Sequence, residues 1–397
     1  MPKTDSRPLV SVQCPVFNGE RFVEESVRSV LDQTFEDLEL VVVDDGSTDG
    51  TRRLLEGLQK EDERLRVLRH EGGANRGLNA SNRLAVDHSK GRYLARIDAD
   101  DRWTPDKLEQ QVAALDAGAH FSYGRAIRID DEGKALPVEE GGGVIGARWD
   151  EIQGSTGAGP FEALMMLNYV PACTAVFSRE AYDRVGGYSA DLAREDFALW
   201  TRLVTLGQPA FIDGILADYR IHAAQRTIEL AEMGMDSIYG NLEAIEDIRR
   251  WPGLPSRLVP STDSWRRCHT ALASLVDGDV GSSKATLEAE DAERLARLLL
   301  NRWARLSELI GPRRVRRWTA RIRRLDPAFN EAIGPAWKGY LFRSFRKACR
   351  KRHLLDASRY GMALVSAKAA DFRSWHVHPC ISALGAEGDL LIQALGA

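Results

Sequence analysis

The chain has 397 residues, of which 44% are hydrophobic and 28% are charged, and its formal net charge is −4. This composition is typical of a folded globular protein, and the small net charge excludes a global attraction to nucleic acid. No apolar run approaches the roughly 20 residues that a membrane-spanning helix needs. The five cysteines are scattered, and the first residues lack the apolar core of a signal peptide, so we expect a cytoplasmic protein.

Charge is unevenly distributed along the chain. Residues 301–360 contain seventeen Lys or Arg against four Asp or Glu, whereas the remainder is acidic. Apolar residues recur in this basic segment at helical spacing, and such a helix can lie on an anionic membrane surface as a peripheral contact. The alternative is a helix packed on the rest of the protein with a solvated basic face. We expect a boundary near residue 227, with domains at 1–227 and 228–397, the second of them α-helical.

Apolar periodicity predicts alternating strands and helices through the first 129 residues. The predicted strands are 9–14, 38–43, 65–68, 93–97 and 120–129, and the predicted helices are 20–32, 51–60, 79–89 and 104–117. The last of these helices would have Thr104 as N-cap and Pro105 at its first position. This order is typical of an α/β fold with a Rossmann-like, mostly parallel, doubly wound sheet, in which ligands bind beyond the carboxyl ends of the strands.

A glycine-rich segment, residues 139–160, separates this region from a second block, and we interpret it as a mobile connection or a loop over the site. In the second block we predict a strand at 174–177, helices at 179–185 and 195–206, and a strand with its loop at 211–219. Beyond residue 227 the sequence predicts helices to near its end.

Three carboxylates, Asp98, Asp100 and Asp101, directly follow the apolar strand predicted at 93–97. Clustered carboxylates repel each other unless a cation or a proton lies among them. Such a cluster can hold one hard divalent cation together with water and phosphate oxygens. The alternative is an acidic cluster that only caps a helix or solvates a loop.

Six segments in order resemble the inverting glycosyltransferases of family 2, which have the GT-A fold. They are 10–20 (VSVQCPVFNGE), 29–34 (SVLDQT), 41–51 (VVVDDGSTDGT), 98–101 (DADD), 186–188 (GGY) and 194–202 (REDFALWTR). The resemblance covers roughly residues 8–227 and implies a GT-A catalytic domain there. It implies transfer of a sugar, with inversion, from a nucleotide-diphosphate donor such as a UDP-sugar to a hydroxyl acceptor.

The resemblance also implies how the nucleotide is bound. Pro15, Val16 and Phe17 would line the base pocket, with Phe17 standing where the family often has Tyr. Glu20 would belong to the same nucleotide-binding loop. Asp44 would accept a hydrogen bond from the base, although Asp is also common at such a turn for structural reasons.

Other residues are implied at the sugar-phosphate part of the donor. Asp98 and Ala99 would approach the ribose. Arg76 or Arg83 could contact the diphosphate, because a guanidinium suits phosphate geometry. The segment around these two arginines departs from the family pattern, and a solvent-facing helix position is the alternative for each.

The metal site implied by the resemblance holds Mn²⁺ or Mg²⁺. Asp100 would bind the metal. Asp101 would lie beside Asp100, or would support the metal ligands without contacting the metal. His222, in a segment that resembles a later family element, would lie near the metal or the diphosphate. A lone histidine is often structural, and that alternative stays open.

Asp196 is the candidate general base, since the attacking hydroxyl must lose a proton and a carboxylate at a helix start stays ionised. Glu195 would orient or bind the acceptor. Trp200 is either a platform for the acceptor sugar or, as its spacing favours, a core residue. For Glu195 and Asp196 the alternative is a pair of first-turn acids without a catalytic role.

The sequence thus predicts a metal-dependent glycosyltransferase acting on a glycan or lipid-linked acceptor in polysaccharide, lipopolysaccharide or glycoconjugate biosynthesis. The alternative is a non-catalytic sugar-nucleotide-binding or scaffold protein with the same fold. A dehydrogenase is disfavoured because residues 15–20 stand where a Gly-x-Gly-x-x-Gly turn would be needed.

Overall fold

The computed structural model divides into two compact units, Met1–Ala273 and Ser274–Ala397. The structure describes residues 7–137, 142–152, 159–189, 192–225 and 239–276, together with 291, 294, 295 and 298. The basic segment 301–360 lies outside the described residues. The boundary expected at residue 227 falls within the first unit, which continues for nearly 50 residues beyond it.

A nine-stranded sheet forms the centre of the first unit, as far as the chain is described. Its strands are β1 (Val10–Val16), β2 (Leu38–Asp44), β3 (Leu65–Arg69), β4 (Tyr93–Arg96), β5 (Arg102–Trp103), β6 (Phe121–Ile129), β7 (Val144–Ile145), β8 (Val176–Ser178) and β9 (Ala210–Arg220). The helices are α1 (Val23–Leu31), α2 (Thr51–Glu61), α3 (Leu78–Asp87), α4 (Lys107–Asp116), α5 (Pro160–Met166), α6 (Arg179–Arg184), α7 (Glu195–Leu203), α8 (Tyr239–Arg250) and α9 (Val259–Val276).

The strand order is β3-β2-β1-β4-β8-β6-β9-β5, and β7 pairs with β6. Strands β3, β2, β1 and β4 are parallel to one another, as the alternating pattern predicts. Strand β8 is antiparallel to both β4 and β6, β6 is parallel to β9, and the short strands β5 and β7 are antiparallel to their partners. The sheet is therefore mostly parallel with antiparallel strands inserted in its second half.

Strand β2 is buried along its whole length, which confirms the expectation from its nearly continuous apolar sequence. Leu40 and Val42 pack into the larger core with α1 and α2, and Val41 and Val43 pack into a smaller cluster with Ala85 of α3. Alternate side chains of a strand point to opposite faces, so helices cover both faces of this half of the sheet. Each such valine or leucine contributes about 2 kcal/mol on burial.

Strand β1 continues through Pro15 to Val16, two residues beyond its predicted end. The ladder between β1 and β4 ends at Gln13, where the Ile97 N–H donates to the Gln13 carbonyl. The backbone groups of residue 15 point toward β4, as those of residue 13 do. Because the ladder with β4 has already ended, the N–H that proline lacks costs no ladder hydrogen bond. The strand therefore extends along β2 alone, and the sheet opens between β1 and β4 at this end.

Helix α4 begins at Lys107, two residues after the predicted first position Pro105, with Asp106 at its N-cap position. The predicted cap residue, Thr104, lies instead beside β9, where both its N–H and its hydroxyl donate to the carbonyl of Leu216, at 3.0 and 3.2 Å. Its own carbonyl accepts from Gln33 at 2.7 Å. Thr104 is thus held in an extended connection from β5, and this correction follows from tertiary hydrogen bonds that the Thr-Pro pattern does not encode.

Lys107 is fully buried although it carries an amine. Its Nζ donates to Gln111 Oε1 at 2.7 Å and lies 3.9 Å from the centre of the Trp103 ring. Burial lowers the pKa of this amine from its ordinary value to about 7, against a smaller opposing effect of Cys173. The folded protein therefore favours the neutral amine at a pH where the unfolded chain keeps it protonated.

We expect stability to rise with pH above about 7 because of Lys107. Between its folded and unfolded pKa values the unfolded state binds one more proton, so the unfolding free energy increases by at most ~1.4 kcal/mol per pH unit. The variant Lys107→Met should exceed the wild type in stability at pH 7, by a margin that shrinks toward pH 9. Urea denaturation at several pH values measures this margin. The exposed Lys60→Met is the control, and a margin independent of pH for Lys107→Met would contradict the assignment.

Candidate functional site

A cavity of about 980 Å³ lies at the carboxyl ends of β1 and β4, within the first unit. It brings together predicted site residues that are far apart in the sequence. Those lining it are Pro15, Val16, Phe17, Asp98, Ala99, Asp100, Glu195, Asp196 and His222. Phe17 is 51% exposed, so an aromatic face is available for a ligand. The opening between β1 and β4 leads directly into this cavity.

Of the two neighbouring acids after β2, the one at the cavity is Asp45. The Asp44 carboxylate is fully buried and pairs with Arg69 Nε at 3.0 Å, away from the cavity lining. The Asp45 carboxylate lines the cavity and accepts the backbone N–H groups of Arg76 at 2.7 Å and Gly77 at 2.9 Å. The sequence cannot distinguish these two acids, because the turn geometry decides which one faces the ligand.

Arg76 does not line the cavity, although its neighbours Asn75 and Gly77 do. Arg83 lies on α3 and is likewise not part of the lining. The arginines that do line it are Arg21, Arg96, Arg128 and Arg194. None of these four was predicted as a site residue, because they come from different elements and share no sequence motif.

Glu20 holds two loops together outside the cavity lining. Its Oε2 accepts the N–H of Gly50 at 2.8 Å, and its own N–H donates to Asp49 at 3.1 Å. Asn18 adds a second connection, since its Oδ1 accepts the N–H of Thr48 at 2.8 Å. Asn18 has a φ of +51°, in the left-handed region. These contacts fix the loop that carries Phe17 against the turn after β2.

Arg96, at the end of β4, pairs with two carboxylates. Its Nη2 lies 3.0 Å from Asp98 Oδ1, and its Nη1 lies 2.9 Å from Glu195 Oε1. The residue is only 3% exposed. Burial alone would lower the pKa of this guanidinium, but the charges of Asp98 and Glu195 outweigh that effect and raise the pKa above its ordinary value. Arg96 therefore remains a cation and neutralises the carboxylates on either side.

Asp100 and His222 form the part of the site suited to a metal. Asp100 Oδ2 and His222 Nε2 are 2.9 Å apart, close to the ~3 Å that separates adjacent ligands of an octahedral ion. Within the described ranges, no group of three or more His, Cys, Asp or Glu side chains is gathered for metal binding. The donor set thus fits an ion that takes its remaining ligands from water and phosphate oxygens rather than from a complete protein cage.

Asp101 lies behind the cavity rather than in it. Its carboxylate is 1% exposed and accepts the backbone N–H of Arg220 at 2.9 Å. Burial first, and then the charges of Asp100 and Asp98, raises the pKa of Asp101 well above its ordinary value. The Arg220 side chain also donates to the Asp100 carbonyl at 2.8 Å. Arg220, which the sequence did not indicate as a site residue, therefore fixes the turn that carries the two acids.

Asp196 faces the cavity from the first turn of α7. Its Oδ2 accepts from Asn168 Nδ2 at 3.1 Å, and its Oδ1 accepts from the N–H of Phe197 at 2.7 Å. Asn168 precedes β8 in an irregular segment, so no periodic pattern could have indicated it. The neighbouring Glu195 is paired with Arg96, so the two adjacent acids have different surroundings.

Trp200 belongs to the core rather than to the cavity. It is fully buried, and its ring stacks on Phe121 with 5.2 Å between centroids. The core alternative for this residue is therefore the one that the structure supports.

Comparison with known proteins identifies the family of the chain. The family model described as glycosyl transferase family 2 matches residues 11–186. The Bacillus subtilis (strain 168) protein TuaG, whose name assigns it to teichuronic acid biosynthesis, is 31% identical over 219 residues, which cover 55% of this chain and 81% of TuaG. The chain belongs to glycosyl transferase family 2. An uncharacterized glycosyltransferase of Haemophilus influenzae is 30% identical over 227 residues, covering 55% of this chain and 67% of the relative.

Solved structures show the same fold. Staphylococcus aureus TarS, in complex with UDP-GlcNAc, superposes with a TM-score of 0.53 at 16% identity, covering 76% of this chain and 88% of that one. The mannosyltransferase PcManGT of Pyrobaculum calidifontis, in complex with GDP-Man and Mn²⁺, superposes with a TM-score of 0.50 at 19% identity, covering 80% and 84%. The predicted GT-A fold is confirmed. Among the described residues no helix is long and apolar enough to cross a membrane.

The loop contacts of Asn18 predict a graded loss of stability. Asn18→Gly keeps the left-handed backbone accessible but loses the side-chain hydrogen bonds, which costs about 1 kcal/mol. Asn18→Ala loses the same hydrogen bonds and also holds alanine in the left-handed conformation, where its Cβ is close to the following carbonyl oxygen. This strain costs about 1 kcal/mol more. Thermal and urea unfolding of the two variants and the wild type measure the difference. Equal stability of the Gly and Ala variants would contradict the contribution of the backbone conformation.

Proposed function

We propose that this protein transfers a glycosyl group, with inversion, from a nucleotide-diphosphate sugar to a hydroxyl acceptor, and that the donor is a UDP-sugar. One observation carries the proposal: the Asp196 carboxylate and the Asp100–His222 pair line the same cavity. Direct displacement at a sugar carbon requires the general base and the diphosphate site to share one cavity.

The nucleotide would occupy the side of the cavity formed by β1 and the turn after β2. Phe17 offers an exposed ring for stacking on the base, with Pro15 and Val16 beside it. We assign the base hydrogen bond to Asp45, because Asp44 is buried against Arg69. Asp98 would bind the ribose from the opposite wall. Support comes from the two fold neighbours, whose structures contain UDP-GlcNAc and GDP-Man.

Asp100 and His222 would hold Mn²⁺ or Mg²⁺ with the donor diphosphate. When bound, the ion supplies positive charge that stabilises the departing diphosphate. The chain itself contributes the orientation of both ligands: Arg220 holds the Asp100 backbone, and the ring of Phe22 packs against His222 with 4.9 Å between centroids. The Mn²⁺ in the PcManGT structure supports the choice of ion.

The displacement assigns one role to Asp196. The acceptor hydroxyl oxygen forms a bond to the anomeric carbon from the face opposite the leaving group, while its proton moves to the Asp196 carboxylate. The bond between the anomeric carbon and the phosphate oxygen breaks, and its electron pair leaves with the nucleoside diphosphate. Asn168 and the N–H of Phe197 hold the carboxylate in place for this transfer. Attack from the opposite face inverts the configuration.

For the acceptor we propose a hydroxyl of a glycan or a lipid-linked sugar in polysaccharide biosynthesis. The name of the relative TuaG supports this class. The basic segment 301–360 would then provide a peripheral contact with an anionic membrane surface, as its composition suggests.

Replacing the base should abolish transfer without abolishing donor binding. Asp196→Asn keeps the shape of the side chain but cannot accept the proton, so kcat should fall by at least about 100-fold. UDP affinity should change by less than about threefold. Nucleotide release from a panel of sugar nucleotides gives kcat, and calorimetry gives affinity.

The matched control is Asp183→Asn, an exposed acid on α6, which should behave as wild type. Full activity of Asp196→Asn would refute the base assignment. Tight nucleotide binding by a wild type that never turns over would instead favour a non-catalytic binding protein.

Chelation of the metal and replacement of its proposed ligand His222 should both impair nucleotide release. EDTA should abolish nucleotide release, and added Mn²⁺ should restore it. His222→Asn should raise the Mn²⁺ concentration needed for half-maximal activity by about tenfold or more, since even an outer-sphere partner commonly contributes that much. Binding of Mn²⁺ in the presence of UDP, followed by electron paramagnetic resonance, should weaken in parallel.

The exposed His88→Asn is the control for the histidine replacement. Turnover that is insensitive to EDTA and to His222→Asn would show that the reaction uses no metal at this position.

A further inference from the structure

Arg96 lies between the two halves of the proposed reaction. It occupies the last position of β4, two residues before Asp98, and its partner Glu195 directly precedes Asp196 in α7. Its guanidinium is within 3.0 Å of Asp98 and 2.9 Å of Glu195. One side chain thus joins the strand end that receives the donor to the helix that carries the base.

The Arg96–Glu195 ion pair is shielded from solvent. The side chains of Arg96 and Glu195 are each about 4% exposed, so water cannot readily replace either partner. Removing the guanidinium would take away the cation that lies between the buried Glu195 carboxylate and the partly exposed Asp98 carboxylate, and the two like charges would then repel each other. The strand end and the start of α7 would then move apart.

We propose that Arg96 is a positioning residue that fixes the separation between the bound donor and the general base. This inference rests on the proposed glycosyl transfer. Arg96 acts through its partners: one amino group holds Asp98 and the other holds Glu195, whose neighbour in the helix is Asp196. It lines the cavity wall between these acids, but the assignment requires no contact between Arg96 and the reacting atoms.

A guanidinium is required for this arrangement. Its two terminal nitrogens diverge from one rigid plane, so it can bond two carboxylates at once in a fixed geometry. A lysine at the same position keeps the charge, but its single ammonium lacks the two diverging nitrogens that bond Asp98 and Glu195 in the wild type. Arg96→Lys should therefore retain a folded protein and only part of the positioning.

The experiment compares Arg96→Met, Arg96→Lys, Glu195→Gln and the double variant Arg96→Met/Glu195→Gln. Misplacement of about 1 Å commonly costs about 100-fold in rate, so kcat for Arg96→Met should fall by about that factor, and for Arg96→Lys by about tenfold. The UDP dissociation constant should rise by about fivefold at most, because only the proposed Asp98 contact with the ribose is disturbed, whereas the base pocket and the Asp100–His222 pair are unchanged. One nucleotide should still bind per chain.

The double variant distinguishes positioning from a general loss of structure. If Arg96 acts through Glu195, the double variant should lose much less than the product of the two single losses. The control is Arg92→Met, whose side chain is 68% exposed and which should behave as wild type. A destabilised enzyme without a positioning defect would instead show fewer binding sites per chain and an unchanged kcat per site.

Two results would overturn the inference: kcat of Arg96→Met within threefold of wild type, or strictly multiplicative losses in the double variant. If Arg96→Met does not fold, Arg96→Lys and Glu195→Gln give the same comparison, and full kcat per site in both would overturn it. A wild type that transfers no sugar from any donor would refute the proposed function itself, which is a different outcome.

Discussion

Repulsion among the carboxylates at the end of β4 is the constraint on which the rest of the site depends. Each of the three acids in this turn has a partner of its own. The pairs are Asp98 with Arg96, Asp100 with His222, and Asp101 with the backbone N–H of Arg220. Arg220 is the last residue of β9 and His222 lies two residues beyond it, so these contacts join the acidic turn to the end of β9.

Much of the fold could be predicted from the sequence, because it depends on apolar periodicity. The buried strand β2 and the helices on its two faces follow directly from that pattern. The late start of α4 could not be predicted, since hydrogen bonds from distant residues hold Thr104 extended. Nor could the contact between α9 and α5, in which Trp265 donates to Glu162 at 2.5 Å, since composition does not reveal it.

The candidate site could be predicted where sequence motifs indicate residues that line the cavity, as for Asp98, Asp100 and Asp196. It was not predictable where orientation decides. Asp44 and Asp45 are chemically identical neighbours, and only the turn after β2 places one against Arg69 and the other at the cavity. Asn168 and Arg96 were missed because their partners lie 28 and 99 residues away in sequence, beyond any local pattern.

The order of synthesis gives the pairing of Asp100 with His222 a further consequence. The two residues are 122 positions apart, so a growing chain carries the acidic turn long before its partners exist. Closing a loop of this length costs entropy that later contacts must offset. We therefore expect the cavity to be completed late in folding, when β9 joins the sheet. A ligand that requires both walls can bind, and so stabilise the protein, only after that step.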